Sequence, residues 1–334
     1  MDARRALAAA VAVIVVVVSA AGCNAGPTRG ELGKALFSYD RGAFGCLGLC
    51  PSADDSMAAS SRVIIYVTNA DDLGDFAVSS TDESVATFTR GSTATVNGKK
   101  WIGVSAVSLA AGDAKLSLSD SAGGGEVDRL AVHVHDVAKI EVHGRAEEYR
   151  DALTVMTGGS VSMQMDLKDA AGHALVGHGG LSYTYQGAAS EPALLQVLFG
   201  EIIISIFAGT APEYMEVTTQ GPGTGTITAS SPAGASLDIP VKVIDGDAVT
   251  SVSLEGSGNT PVIGEDYFVN ASAMAGAEMV HDPQCVWSLS DVVGPVTIKN
   301  AGRNFAALQA TAAGSATLNC AIGSQARSMP VVFK

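Results

Sequence analysis

Three histidines form the first group of residues whose types and spacing could do chemistry. His133 and His135 lie two apart in a His-Val-His-Asp sequence, and His143 follows shortly afterwards. Residues two apart on a β-strand share a face, so the two imidazoles could hold zinc or copper with help from His143. We prefer the simpler interpretation that they are polar residues on the solvent face of an edge strand. On that interpretation the protein needs no metal and no other cofactor.

The remaining chemical signals in the sequence are incomplete. Residues 69–75 carry clustered carboxylates, which suit calcium, but they lack the twelve-residue calcium-loop pattern, so we predict a solvated turn. The chain has no Gly-x-Ser-x-Gly, His-Glu-x-x-His or phosphate-loop motif. We therefore predict no catalytic residues and a protein that is not an enzyme.

The N-terminal residues predict an export signal. Arg4 and Arg5 precede an apolar run from Leu7 to Val18, and small residues then lead to Cys23. This arrangement resembles a bacterial lipoprotein signal. The resemblance implies cleavage before Cys23, acylation of its thiol, and attachment to a membrane through the lipid. An ordinary secretory signal cut nearby is the alternative.

Four cysteines remain if Cys23 carries lipid. An even number of cysteines in an exported chain suggests disulfides, and four allow three connectivities. The economical pairing is Cys46–Cys50, which closes a short Gly-containing loop, together with Cys285–Cys320 in the C-terminal region. A metal site made by all four is the competing interpretation, but neither C-terminal cysteine has a second ligand at the required spacing.

The elements that must position these residues follow a pattern that occurs three times. Each copy has a Gly-containing turn, a strand of alternating small and apolar residues, and then a second alternating strand. Such short alternating strands separated by turn signals are typical of β-sandwiches. The turn and first strand occupy residues 110–116, 221–227 and 312–318, and the second strand occupies residues 130–134, 239–243 and 329–333.

The pattern resembles the bacterial immunoglobulin-like domains, group 2 especially. In the first copy, residues 76–88 read Phe-Ala-Val-Ser-Ser-Thr-Asp-Glu-Ser-Val-Ala-Thr-Phe and lead to Ala111-Gly112. In the third, residues 286–291 read Val-Trp-Ser-Leu-Ser-Asp and lead to Ala313-Gly314. The resemblance implies an all-β chain of three tandem immunoglobulin-like sandwiches. We predict a signal peptide at 1–22 and domains at 23–137, 138–247 and 248–334.

An apolar run at residues 194–207 is unusual for the second domain. We interpret it as core strands, or as a core strand and a short helix after Pro192. A partner-binding surface is the alternative, because a large exposed apolar patch marks an interface. The run is too short and too interrupted by polar residues for a membrane span.

The net charge and the predicted location limit the kinds of partner that the protein could bind. The formal net charge of −14 leaves no basic face for nucleic acid. Asn24, rather than Asp, after the predicted lipidated cysteine favours delivery to the outer membrane, on its periplasmic or its surface side. We therefore predict a non-catalytic envelope lipoprotein for binding, adhesion or scaffolding, with an unidentified protein or glycan partner. The alternative is an accessory subunit of a secretion, motility or outer-membrane assembly that docks through residues 194–207.

Overall fold

A computed structural model describes residues 27–39, 55–96, 98–143, 152–190, 213–219 and 221–334. In these ranges the regular structure is β-strand apart from two single-turn 3-10 helices, Ala70–Asp72 and Gly246–Ala248. None of the described helices is long and apolar enough to cross a membrane. The strands form six sheets, which pack in pairs around apolar cores. We call the three pairs sandwiches I, II and III.

Sandwich I contains nine strands: β1 (Thr28–Arg29), β2 (Leu36–Ser38), β3 (Met57–Ala58), β4 (Arg62–Val67), β5 (Phe76–Ser80), β6 (Ala86–Val96), β7 (Lys99–Ser108), β8 (Gly112–Asp120) and β9 (Glu126–His135). One sheet has the order β1-β2-β4-β7-β6 and the other β3-β9-β8-β5. The pairing is antiparallel, except that β3 runs parallel to β9. Side chains on β8 alternate between the core and the surface, as the sequence pattern predicts.

Sandwich II also contains nine described strands: β10 (Lys139–Val142), β11 (Leu153–Met156), β12 (Ser160–Lys168), β13 (Ala174–Leu175), β14 (Ser182–Gly187), β15 (Ala189–Ser190), β16 (Glu213–Thr219), β17 (Gly223–Ser230) and β18 (Ser236–Ile244). Its sheets have the orders β10-β12-β16-β15 and β11-β18-β17-β14, with β13 added to β12. As in sandwich I, a short early strand, β11, runs parallel to the last strand. The apolar run 194–207 falls between β15 and β16, outside the described residues.

Sandwich III has eight strands: β19 (Ser251–Gly256), β20 (Tyr267–Ala275), β21 (Glu278–Val280), β22 (Val286–Val293), β23 (Val296–Ala301), β24 (Phe305–Ala310), β25 (Gly314–Ile322) and β26 (Gln325–Phe333). Its sheets have the orders β19-β20-β24-β23 and β22-β25-β26, with β21 added to β20. In immunoglobulin nomenclature these are A-B-E-D and C-F-G, the constant-type order. The predicted all-β, immunoglobulin-like fold is confirmed.

The structure contains the predicted disulfide between Cys285 and Cys320. Cys285 immediately precedes β22, and Cys320 lies on the neighbouring strand β25, opposite Trp287. The bridge therefore joins the tryptophan-bearing strand to its neighbour within one sheet. The other predicted pair, Cys46–Cys50, and the predicted lipidation site, Cys23, lie outside the described residues.

Candidate interaction surfaces

The first two histidines of the predicted metal set share the exposed face of β9, as strand alternation requires. They do not face a common centre. His133 Nδ1 lies 2.6 Å from Asp113 Oδ1 on the adjacent strand β8. His135 Nδ1 lies 3.7 Å from Asp169 Oδ2, across the boundary with sandwich II. Each histidine therefore lies beside a different carboxylate, and the carboxylate of Asp169 lies closer still to His173, at 3.3 Å.

The third histidine of the set, His143, follows β10 in sandwich II. Its Nδ1 lies 2.8 Å from Asp166 Oδ2 on β12. Within the described ranges, no three His, Cys, Asp or Glu side chains are grouped so that they could hold a metal ion. The structure thus places the three predicted ligands in three separate His–Asp pairs.

The carboxylates at 69–75 hold local structure. Asp71 Oδ2 accepts the backbone N–H of Lys100 at 2.7 Å, and Asp75 pairs with Arg90 at 2.7 Å. Hydrogen bonding from the Arg90 guanidinium, followed by its charge, lowers the pKa of Asp75. These contacts give Asp71 and Asp75 structural roles in and beside the turn.

A buried carboxylate on β9 holds the N-terminal segment of sandwich I. The side chain of Asp128 accepts the backbone N–H groups of Leu32 at 2.7 Å, Lys34 at 2.7 Å and Ala35 at 2.6 Å. Burial by itself would raise the pKa of Asp128, but these bonds and one from the Arg129 N–H outweigh it, so the pKa is lowered. The chain is therefore fastened to the sandwich a few residues after the predicted lipidation site.

The junction between sandwiches I and II is built on backbone pairing. Met57 of β3 and Val176, just after β13, form an isolated parallel bridge. The N–H of Ala58 donates to the C=O of Val176, and the N–H of Val176 donates to the C=O of Ser56, both at 2.9 Å. Val176 belongs to the apolar core of sandwich I, and Ala58 belongs to that of sandwich II. The two cores therefore interlock.

Polar contacts surround this first bridge. The N–H of Gly179 donates to Ser61 Oγ at 2.7 Å, and the N–H of Arg62 donates to His178 Nε2 at 3.2 Å. Burial, followed by repulsion from Arg62, lowers the pKa of His178 and favours the neutral ring. A shallow, open cleft lined by Ser60, Leu109 and their neighbours lies beside these contacts.

The junction between sandwiches II and III repeats the same construction. Val155 of β11 and His281, just after β21, form a second isolated parallel bridge. The N–H of His281 donates to the C=O of Thr154 at 2.8 Å, and the N–H of Met156 donates to the C=O of His281 at 3.4 Å. Met156 and Ile244 of sandwich II pack in one apolar cluster with residues of sandwich III.

An ion pair and a hydroxyl reinforce this second junction. Glu278 on β21 accepts hydrogen bonds from Lys242 Nζ at 2.8 Å and from Thr154 Oγ1 at 2.9 Å. The bond from Lys242, and then the one from Thr154, lowers the pKa of Glu278. In the same junction Asp282 Oδ2 accepts the backbone N–H of Ser160 at 2.9 Å.

Both junctions therefore use the same two parts. We call the segment that receives the neighbour the receiving segment, residues 56–58 in sandwich I and 154–156 in sandwich II. We call the loop that reaches across the crossing loop, residues 169–181 in sandwich II and 276–285 in sandwich III. These residues could not be predicted from the sequence, because their bridging bonds involve backbone groups, which leave no side-chain pattern.

Sandwich III also carries most of the exposed large apolar side chains of the described structure. Val293 and Val332 are both exposed and flank Ser315 across the three-stranded sheet. Val262 and Ile263 are exposed in the connection between β19 and β20, where the N–H of Lys334 lies 3.5 Å from the C=O of Pro261. These residues form the end of sandwich III that faces away from sandwich II, which we call the far end.

No protein-family model matches the chain, and no curated protein is significantly similar to it. Among solved structures, domains 5–6 of the S-layer protein SbsC are 16% identical, with 59% of this chain and 97% of that chain covered, at a TM-score of 0.30. The Escherichia coli adhesin FdeC is 18% identical over 84% of this chain and 94% of its own, at 0.24. The Yersinia pseudotuberculosis adhesin InvE is 15% identical over 55% and 57%, at 0.24. Superpositions this loose carry no conclusion about what the protein binds.

Proposed function

We propose that the protein is a non-catalytic cell-envelope lipoprotein whose stacked sandwiches hold a binding or scaffolding surface away from the membrane. The supporting observation is that both junctions are interlocked, with apolar side chains shared between neighbouring cores. Interlocked cores resist bending, because hinge motion at either junction would expose buried apolar surface. The far end of sandwich III is then the part held farthest from an N-terminal anchor.

The proposal includes the division of the chain and its attachment. Domains run over residues 23–137, 138–247 and 248–334, and Cys23 carries the lipid that holds the protein in the outer membrane. Acyl chains supply the affinity, since the acidic chain has no basic patch to attract anionic lipid. Cys46 and Cys50 form the second disulfide.

The anchor is tested by expressing the full chain and its Cys23→Ser variant in a bacterium fed radioactive palmitate. We expect label in the wild-type chain and its recovery with membranes, and neither in the variant. A Cys46→Ser variant is the matched control and should keep both. Equal membrane recovery of all three chains without label would contradict the lipid anchor.

The binding role is tested by immobilising the protein in two opposite orientations. The soluble chain from residue 24 onward is immobilised through its N-terminus, which leaves the far end free, or through its C-terminus, which buries the far end against the support. We expect material from envelope extracts to be captured in the first orientation and lost in the second. Equal capture in both orientations would place the binding surface elsewhere, and capture in neither would remove the binding role.

Docking through residues 194–207 is the alternative function, and these residues lie outside the described structure. Both immobilised orientations leave sandwich II free. Equal capture in both, lost when residues 194–207 are replaced by a Gly-Ser linker, would favour this alternative.

A further inference from the structure

Sandwich III contains a segment that matches the receiving segments of sandwiches I and II. Each receiving segment leads directly into a tight turn whose last residue has a positive φ, Ser60 at 60° and Gly158 at 70°. In sandwich III the corresponding residue is Gly264 at 85°. Counting back by the same number of residues places 260–262 at the position of 56–58 and 154–156.

The neighbouring strand supports this alignment. The receiving segments of sandwiches I and II lie beside the end of the last strand of their sheet, β9 or β18. The third segment lies beside the end of β26, where the N–H of Lys334 approaches the C=O of Pro261. All three segments therefore occupy the same place in the fold.

The third segment differs from the other two in what covers it. Met57 and Val155, the bridged residues, are fully buried, and their neighbours Ala58 and Met156 are buried as well. Val262, the counterpart of Ala58 and Met156, is 45% exposed, and the next residue, Ile263, is 37% exposed. The residue at this position is thus apolar in sandwich III as well, although no described residue packs over it.

The backbone groups that make the bridge are also in place. In sandwiches I and II the bridge uses the C=O before the central residue and the N–H after it. The counterparts in sandwich III are the C=O of Thr260 and the N–H of Val262. Pro261 at the centre does not interfere, because the central residue's own N–H is not used. Neither counterpart takes part in a backbone hydrogen bond within the described residues.

We infer that the far end of sandwich III is a docking site for a further immunoglobulin-like sandwich, which binds through a crossing loop of the type at 169–181 and 276–285. The incoming residue accepts from the N–H of Val262 and donates to the C=O of Thr260. Val262 then becomes buried, as Ala58 and Met156 are in the two formed junctions. This inference names the class of partner for the surface proposed above and in that respect rests on the proposed function.

The choice of partner follows from the two junctions already formed. Both use the same bridge and the same burial, and both receive a sandwich rather than a free strand. Among its described residues, a second copy of this chain has no free crossing loop of this type, because those of sandwiches II and III are already docked. The first sandwich instead has the 3-10 turn Ala70–Asp72 between β4 and β5, with no added strand. The partner is therefore a sandwich other than the three described here.

The test extends the chain with a copy of its own third sandwich. Residues 246–334 are repeated after Lys334, so that the added sandwich carries the crossing loop 276–285, and amide hydrogen exchange is followed at Val262 and Ile263. We expect exchange at Val262 to slow at least tenfold relative to the unextended chain. An added sandwich that folds without this protection, or one that does not fold at this end, would overturn the inference.

Two variants make the test specific. Val262→Asp in the first copy places a charge in the buried interface and should abolish the added protection. Val286→Asp is the matched control, because Val286 is 71% exposed elsewhere on sandwich III and should leave the protection unchanged. Protection that survives Val262→Asp would show that the added sandwich docks elsewhere, which also overturns the inference.

A second measurement uses a peptide in place of the added sandwich. The synthetic peptide Gly-Ala-Glu-Met-Val-His-Asp-Pro-Gln, residues 276–284, is titrated into isotope-labelled chain. We expect saturable amide shifts between Thr260 and Gly264, and none with a scrambled peptide. The two tests are separable from the proposed function. If the far end captures no envelope material but the added sandwich still slows exchange at Val262, only the proposed function is contradicted. If the far end captures material but the added sandwich does not slow exchange at Val262, only the proposed docking mode is contradicted.

Discussion

At the scale of single residues, the described polar groups mainly support architecture. Asp128 is buried and satisfies three amides of the N-terminal segment, while Glu278 joins sandwiches II and III through Lys242 and Thr154. A buried carboxylate is tolerated only where several donors replace its hydration, and Asp128 meets that condition. Its neighbour Gly30 has to remain a glycine, since a Cβ there would lie 2.5 Å from the carboxyl group.

Replacement of Asp128 by Asn should lower the free energy of unfolding by about 2–4 kcal/mol, because an amide offers one acceptor oxygen and a competing donor to three N–H groups. Urea unfolding of the chain from residue 24 onward measures the change. Asp113→Asn is the matched control on the adjacent strand, where Asp113 is exposed and paired with His133, and it should change stability by less than about 0.5 kcal/mol. An equal loss of unfolding free energy in both variants would contradict the role of Asp128 in holding the N-terminal segment.

The same carboxylate predicts a pH dependence. The pKa of Asp128 is lower in the folded chain than in the unfolded chain, so the carboxylate stabilises the fold above its unfolded pKa of about 3.9. This stability is lost as the pH falls through the folded pKa. We therefore expect the stability gap between wild type and Asp128→Asn to be full at neutral pH and to shrink below about pH 4. A gap that does not change with pH would mean that the carboxylate charge is not responsible.

At the scale of elements, the strands were predictable from the sequence, whereas the contacts between sandwiches are made by the loops that connect the strands. Each crossing loop contains an added strand, β13 or β21, and the residue after that strand pairs with the preceding sandwich. The added strand orients the loop by pairing it to β12 or β20, so the bridge forms with little further loss of loop entropy. The disulfide at Cys285 fixes the end of the second crossing loop to β25.

Removal of this disulfide in a Cys285→Ala, Cys320→Ala double variant should cost about 3–4 kcal/mol of unfolding free energy in the chain-entropy model. The figure follows from the sequence separation of 35 residues between the two cysteines. Thermal unfolding under oxidising conditions measures it. Addition of a reductant should destabilise the wild type more than the variant, in which only the proposed Cys46–Cys50 bridge is left to reduce. A reductant effect of equal size on both would assign the stability to other bonds.

At the scale of the whole molecule, shared cores couple the sandwiches. Met156 and Ile244 lie in an apolar cluster completed by Val249, Val280 and Cys320 of the next sandwich. Unfolding sandwich III would therefore expose part of sandwich II, which favours cooperative unfolding of the pair. The same coupling predicts that a sandwich docked at the far end would stabilise sandwich III.

A Met156→Ser variant should weaken this coupling, since it removes apolar volume from the shared cluster and leaves a hydroxyl there. We expect a loss of about 2–4 kcal/mol and faster amide exchange on both sides, in β11 and in β20. Val286→Ser, at an exposed position, is the control and should leave exchange unchanged. Faster exchange in β11 alone would show that the two sandwiches unfold independently.

The sequence alone determined the strand alternation and the all-β class, and it favoured the pairing of Cys285 with Cys320, because strands report which face is buried and few cysteines limit the choices. Only the tertiary structure decided which groups meet. His133 and His143 look like one metal set in sequence, yet each faces a different aspartate. Met57 and Val176 are paired through backbone hydrogen bonds, which do not depend on the type of side chain and so leave no mark in the sequence. Met156 is buried and Val262 is exposed, although both occupy the same position before a turn, because sandwich III packs against Met156.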